Sequence, residues 1–73
     1  MGWRTVVISK TAKLDYKMGY LCIRSNEEII RVLISEISML IIESTSVSLT
    51  AYLLVELAKE KVNIVFCNSN LSN

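Results

Sequence analysis

Between Ile29 and Ile42 the chain is almost continuously apolar, and that stretch limits what it can fold into. Ile29-Ile30-Arg31-Val32-Leu33-Ile34 and Met39-Leu40-Ile41-Ile42 flank a more polar Ser35-Glu36-Ile37-Ser38. Two readings stand. The segment forms two strands around the break, or one amphipathic helix, because Ile30, Leu33, Ile34 and Ile37 recur at helical spacing. The density of β-branched side chains favours strands. Strands that lack polar alternation need cover on both faces. With only 73 residues there is room for one domain, and a domain that small buries only about 60% of its unfolded surface. Hydrophobic residues nevertheless make up 52% of the chain, and the mean hydropathy is +0.44. That composition excludes disorder. It also exceeds what one small core absorbs, so some apolar surface is expected to meet a partner.

The flanking segments read more simply. Trp3 to Ile8 is β-branched and aromatic, a strand with Trp3 expected in the core. Lys13-Leu14-Asp15-Tyr16 alternates polar and apolar, and Tyr20 to Arg24 returns as its partner, with Lys17-Met18-Gly19 turning the chain between them. Ser25 to Glu28 is the next turn. Ser44-Thr45-Ser46 and Ser48 offer helix N-caps, and Ser48 to Lys61 reads as a helix with a wide apolar arc over Leu53, Leu54, Val55, Leu57 and Ala58. An arc that wide predicts neighbours on two sides of the helix. Val62 to Cys67 is a final strand, and 68–73 is a polar tail. The pattern predicts one α+β domain over 1–67.

The side-chain inventory excludes much chemistry. The chain has no histidine, no proline, and glycine only at Gly2 and Gly19, so the commonest acid–base group and Gly-rich phosphate loops are missing. Cys22 and Cys67 lie far apart and are expected to be buried, reduced thiols. Glu27 and Glu28 belong to a solvated turn, while Glu36 and Glu43 mark strand ends. No set of residues suggests a metal site or a catalytic site, and no cofactor is expected. Charged residues interrupt every apolar stretch, so no membrane span is expected, and with no secretory leader pattern the chain reads as cytoplasmic. Arg4, Lys10, Lys13, Lys17, Arg24 and Arg31 put six of the eight basic residues in the first 31 positions. They form either a basic patch, with Trp3, Tyr16 and Tyr20 available for stacking, or edge-strand cations that block aggregation.

Read as a string, the chain resembles a known family. Gly2-Trp3-Arg4-Thr5-Val6-Val7, Ser9 to Tyr16, Leu33-Ile34-Ser35-Glu36-Ile37, Leu40-Ile41-Ile42-Glu43-Ser44-Thr45, Val47-Ser48-Leu49-Thr50 and Val62 to Cys67 follow an ordered pattern. That pattern is similar to the N-terminal domain of the Cas one family, the CRISPR spacer-acquisition integrases, particularly the type II-A branch. The resemblance implies a small, mostly antiparallel, sandwich-like β domain with one helix near the C-terminus. It implies a non-catalytic role in homodimerisation and DNA contact. Full-length relatives are endonucleases dependent on Mg²⁺ or Mn²⁺, whose metal ligands lie in a larger helical domain outside this chain, and their partners are the Cas two protein and protospacer DNA. On that basis Arg4, Lys10, Thr11, Lys13 and Lys17 are expected to contact DNA, with Thr11 where type II-A relatives often carry histidine. Leu49, Tyr52, Leu53, Val55, Tyr20 and Ile23 are expected at the dimer interface. Two alternatives remain open: a stand-alone module that pairs with and inhibits the full-length integrase, or an unrelated small structural dimer.

Overall fold

A computed structural model describes residues 2–67, so the polar tail at 68–73 lies outside the described residues. The described residues form seven strands and one helix: β1 (Arg4–Ile8), β2 (Ala12–Lys17), β3 (Tyr20–Arg24), β4 (Ile29–Leu33), β5 (Ile37–Ile42), β6 (Val47–Leu49), α1 (Ala51–Lys59) and β7 (Asn63–Phe66). The fold class is the α+β domain expected, mostly strand, with its helix near the C-terminus. Residues 29–42 are two strands rather than a helix, and a one-turn 3₁₀ segment at Ile34–Glu36 separates them. Ile37 and Ser38 therefore belong to β5, not to the break.

The strands make two sheets, ordered β1-β5-β7 and β4-β3-β2-β6. Antiparallel pairing is confined to the β2-β3-β4 meander. β5 pairs in parallel with both β1 and β7, and β6 joins β2 in parallel. Parallel neighbours need long crossovers. The whole meander is the crossover from β1 to β5, and β6 with α1 is the crossover from β5 to β7. Between the sheets Leu14, Leu21, Ile37, Leu40, Leu53 and Leu57 are fully enclosed, joined by Ile8, Ala12, Val32, Ile34, Ile42 and Val62. Cys22 is buried as expected, but Cys67 is exposed, because it follows the edge strand β7 and no described residue packs over it.

The helix differs from its sequence reading at both ends. Ser48 and Leu49 are in β6, held by pairing with Lys13 and Leu14. The N-cap is Thr50, not Ser48 or Ser44 to Ser46; its Oγ1 accepts from the Leu53 N–H at 3.1 Å. At the other end Lys61 takes φ +59°. Lys61 N–H donates to the Ala58 carbonyl and Val62 N–H to the Leu57 carbonyl, both at 3.0 Å, which is the paired bonding of a Schellman stop. Val62 and Leu57, both buried, make the apolar contact that accompanies it. The helix buries only Leu53 and Leu57 and leaves Tyr52, Leu54 and Val55 exposed, so neighbours cover one side of it, not two.

Two positions near the N-terminal half need glycine. Gly2 lies against the Glu36–Ile37 backbone so closely that a Cβ has no room, and the adjacent Trp3 N–H donates to the Glu36 carbonyl at 2.9 Å. The β2–β3 loop is Met18-Gly19 with φ +52° and +87°, the signature of a two-residue type I′ hairpin turn. Gly19 suits that geometry; Met18 does not, and it is 84% exposed. Lys61 is the second non-glycine residue held in this region. Met18→Asn and Lys61→Gly should therefore each stabilise the domain by about 0.5–1 kcal/mol. In a thermal melt each should raise Tm by roughly 4–8 °C per kcal/mol. Unchanged or lowered Tm for both variants would contradict the assigned turns.

Candidate nucleic-acid interface

Strand alternation sorts β2 and β3 into two faces. Leu14 and Tyr16 point inward, and their register partners Ile23 and Leu21 do the same. The outer face of the four-stranded sheet is consequently a grid. Ser48, Lys13, Arg24 and Ile29 share one row; Asp15, Cys22 and Arg31 share the next; Lys17, Tyr20 and Leu33 share the third. Rows are about 6.7 Å apart and neighbouring strands about 4.8 Å. Four cations and one carboxylate leave this face with a net charge of +3 in a chain whose total is +1, so everything else sums to −2.

Asp15 is the one acidic residue in the grid. Its Oδ2 lies 3.4 Å from Arg24 Nε, while its Oδ1 is buried without a hydrogen-bond partner. Cys22 sits beside it in register and is buried. Lys13 and Arg24 oppose each other across β2 and β3, an arrangement of like charges that is repulsive unless an anion lies over them. The Asp15 pair relieves that repulsion on the Arg24 side.

The expected DNA-contacting residues separate into two groups. Lys13 and Lys17 belong to the cationic grid, where Arg24 and Arg31 join them. Arg4 does not: it lies on β1 in the other sheet, with its guanidinium 3.5 Å from Glu36 Oε1 and 5.8 Å from the centre of the Trp3 ring. Lys10 and Thr11 occupy the β1–β2 turn, and Lys10 Nζ is 3.9 Å from Glu27 Oε1. Trp3 is 76% exposed rather than in the core, because the β1 backbone begins only at Arg4 and its ring packs on the Arg4 guanidinium instead. Tyr16 is unavailable for stacking on a ligand, since its ring meets Tyr52 edge-on at 5.0 Å.

The residues expected at a dimer interface do not form one surface. Leu53 has no exposed area, because it fills the core beneath the helix, and this removes it from any interface. Ile23 faces inward and packs on the core, as Leu49 does from β6. Tyr20 is on the cationic face. Tyr52 and Val55 are exposed on α1. A different apolar surface is present on the β1-β5-β7 sheet, where Val7, Ile41 and Val65 stand in one register row. Their outward neighbours in the adjoining row are Thr5, Met39 and Asn63, so no charge interrupts the face. Parallel sheets are ordinarily covered on both sides. Here Val7 is 50% exposed and Val65 40%.

Comparison with known proteins locates the fold. No family profile matches the chain. A chain of the crystal structure of the TtCas1–DNA complex superposes on it with a TM-score of 0.81, covering 90% of this chain at 12% sequence identity. The present chain spans 23% of that chain's length. Likeness at this identity establishes a shared fold. No helix among the described residues is long and apolar enough to cross a membrane.

Because Asp15 and Arg24 form a partly exposed pair, it contributes at most about 1 kcal/mol. Asp15→Asn should leave Tm within roughly 8 °C of the parent while raising the charge of the grid by one. The variant should elute from heparin at higher salt than the parent. Earlier elution, or loss of the cooperative melt, would show that Asp15 acts on folding instead.

Proposed function

We propose that the chain is a non-catalytic, DNA-contacting and self-associating domain of the Cas one type, serving CRISPR spacer acquisition. The observation that carries this reading is the cationic outer face of β2-β3-β4 on a fold shared with a protein solved in complex with DNA. Lys13, Lys17, Arg24 and Arg31 project from rigid, hydrogen-bonded strands, so their spacing is set before any ligand arrives. Cations on such a face engage phosphates, which position a nucleic acid without reading its sequence. The small total charge gives little long-range steering, so affinity rests on local counterion release.

Self-association is assigned to the outer face of β1-β5-β7. Its Val7, Ile41 and Val65 row matches the apolar surplus in the composition, and a second copy packed there supplies the cover a parallel sheet requires. The two functions then occupy opposite sheets and do not compete. Among the described residues no group of three or more His, Cys, Asp or Glu side chains is placed to hold a metal. The residues present therefore do not fit the Mg²⁺ or Mn²⁺ that the resemblance implies for full-length relatives, and no chemical step is assigned to this chain.

If about four phosphates are neutralised, the log–log salt slope for duplex DNA should lie near −3 to −4. Lys13→Ala with Arg31→Ala should flatten it by up to about two units, and Arg4→Ala should leave it nearly unchanged. Salt-insensitive binding, or equal losses from the two changes, would refute the assignment. Sedimentation at ~100 μM, where a dimer of micromolar Kd is mostly assembled, should show a dimer that Val7→Asp with Val65→Lys converts to a folded monomer. A monomeric parent would overturn the assembly half of the proposal.

A further inference from the structure

We infer that the cationic sheet face binds an unpaired DNA strand in preference to duplex, with a base stacked on Tyr20. The inference rests on the DNA-contacting reading of that face and adds which form of DNA it takes. Tyr20 is 39% exposed at the centre of the third row, flanked in register by Lys17 on β2 and Leu33 on β4. Arg31 stands one row away on β4, and Ile29 completes the same strand's outer face at 62% exposure.

A face built only for duplex needs cations alone, because the phosphates cover the outside of the helix and the base faces are hidden in the stack. Against such a ligand the Tyr20 hydroxyl can donate to a phosphate, but its ring face, Ile29 and Leu33 would lose water and meet no base. An unpaired strand offers both kinds of group. Its bases present π-faces to an aromatic ring and apolar contacts to aliphatic side chains, and its phosphates reach the flanking cations. The grid interleaves these groups at the row spacing of a strand pair, about 6.7 Å, a step that an extended nucleotide chain can follow. Stacking on a ring and contact with phosphates do not distinguish one base from another, so the binding is sequence-tolerant.

The test is fluorescence anisotropy with the full chain and three labelled probes at equal salt: a 12-nucleotide oligo(dT), a 12-nucleotide mixed-sequence single strand, and the corresponding mixed-sequence duplex. Both single strands should bind several-fold more tightly than the duplex, and with similar affinity to each other. Tyr20→Ala should weaken single-strand binding about tenfold, the loss expected for one stacked base, and change duplex binding less than twofold; Tyr20→Trp should restore it. Circular dichroism confirms folding, and should Tyr20→Ala fail to fold, Tyr20→Leu replaces it with the same expectation. Duplex bound as tightly as single strands, or Tyr20 variants that weaken both alike, would overturn this inference and leave the DNA-contacting reading standing. Absence of salt-sensitive binding to every probe would overturn both.

Discussion

Everything in this domain is arranged around β5. Ile37, Leu40 and Ile42 enter the core from it, and its backbone is hydrogen-bonded on both edges, to β1 and to β7. Both pairings are parallel, and parallel pairing forbids a tight turn between partners. The chain must leave β1 and return, then leave β5 and return. It uses the first excursion to build the antiparallel meander and the second to build β6 and the helix. The second sheet and the helix that closes the core therefore follow from the position of β5, and so does the face on which the lysines and arginines emerge.

That division has a functional consequence. A strand inside a two-sided sandwich gives one face to the core and one to the surroundings, so each sheet can carry one outward chemistry. The meander carries cations at Lys13, Lys17, Arg24 and Arg31; the parallel sheet carries Val7, Ile41 and Val65. The ion pairs outside the grid reinforce the separation. Arg4 is engaged by Glu36, Lys10 lies near Glu27 and Lys59 lies 3.2 Å from Glu56, so three of the four cations beyond the meander have a carboxylate close by. Those pairs contribute little to stability individually; what they do here is limit the positive field elsewhere.

Much of the secondary structure was legible in the residues, because local signals and final structure agree there. Gly19 marked the hairpin, β-branched density favoured strands over 29–42, and the leucine-rich stretch Ser48 to Lys61 read as the helix that the structure forms over Ala51–Lys59. What sequence could not supply was pairing. Nothing local says that β1 lies beside β5, and the apolar run Met39 to Ile42, which predicts a strand covered on both faces, is covered on one only: Val7 and Val65 flank Ile41 on an open outer face. Ser48 and Leu49 were drawn into the helix by capping propensity, whereas pairing with Lys13 and Leu14 holds them as β6. Leu53 and Val55 lie at opposite ends of the wide apolar arc, about 200° apart at 100° per residue; only the sheets beneath decide which end is core and which is exposed. The cationic site was half legible for the same reason. Lys13 and Lys17 alternate visibly along one strand, but Arg24 and Arg31 join them only through the register of β3 and β4.

The partition of binding between the two sheets is the central claim, and amide chemical-shift mapping addresses it directly. Uniformly ¹⁵N-labelled chain titrated with a 12-nucleotide oligo(dT) should show its largest shifts at Lys13, Lys17, Tyr20, Arg24 and Arg31. Diluting the protein without DNA should instead move Val7, Ile41 and Val65 and leave the meander unchanged. DNA-induced shifts centred on Trp3 and Arg4, or on the β1-β5-β7 face, would contradict the account.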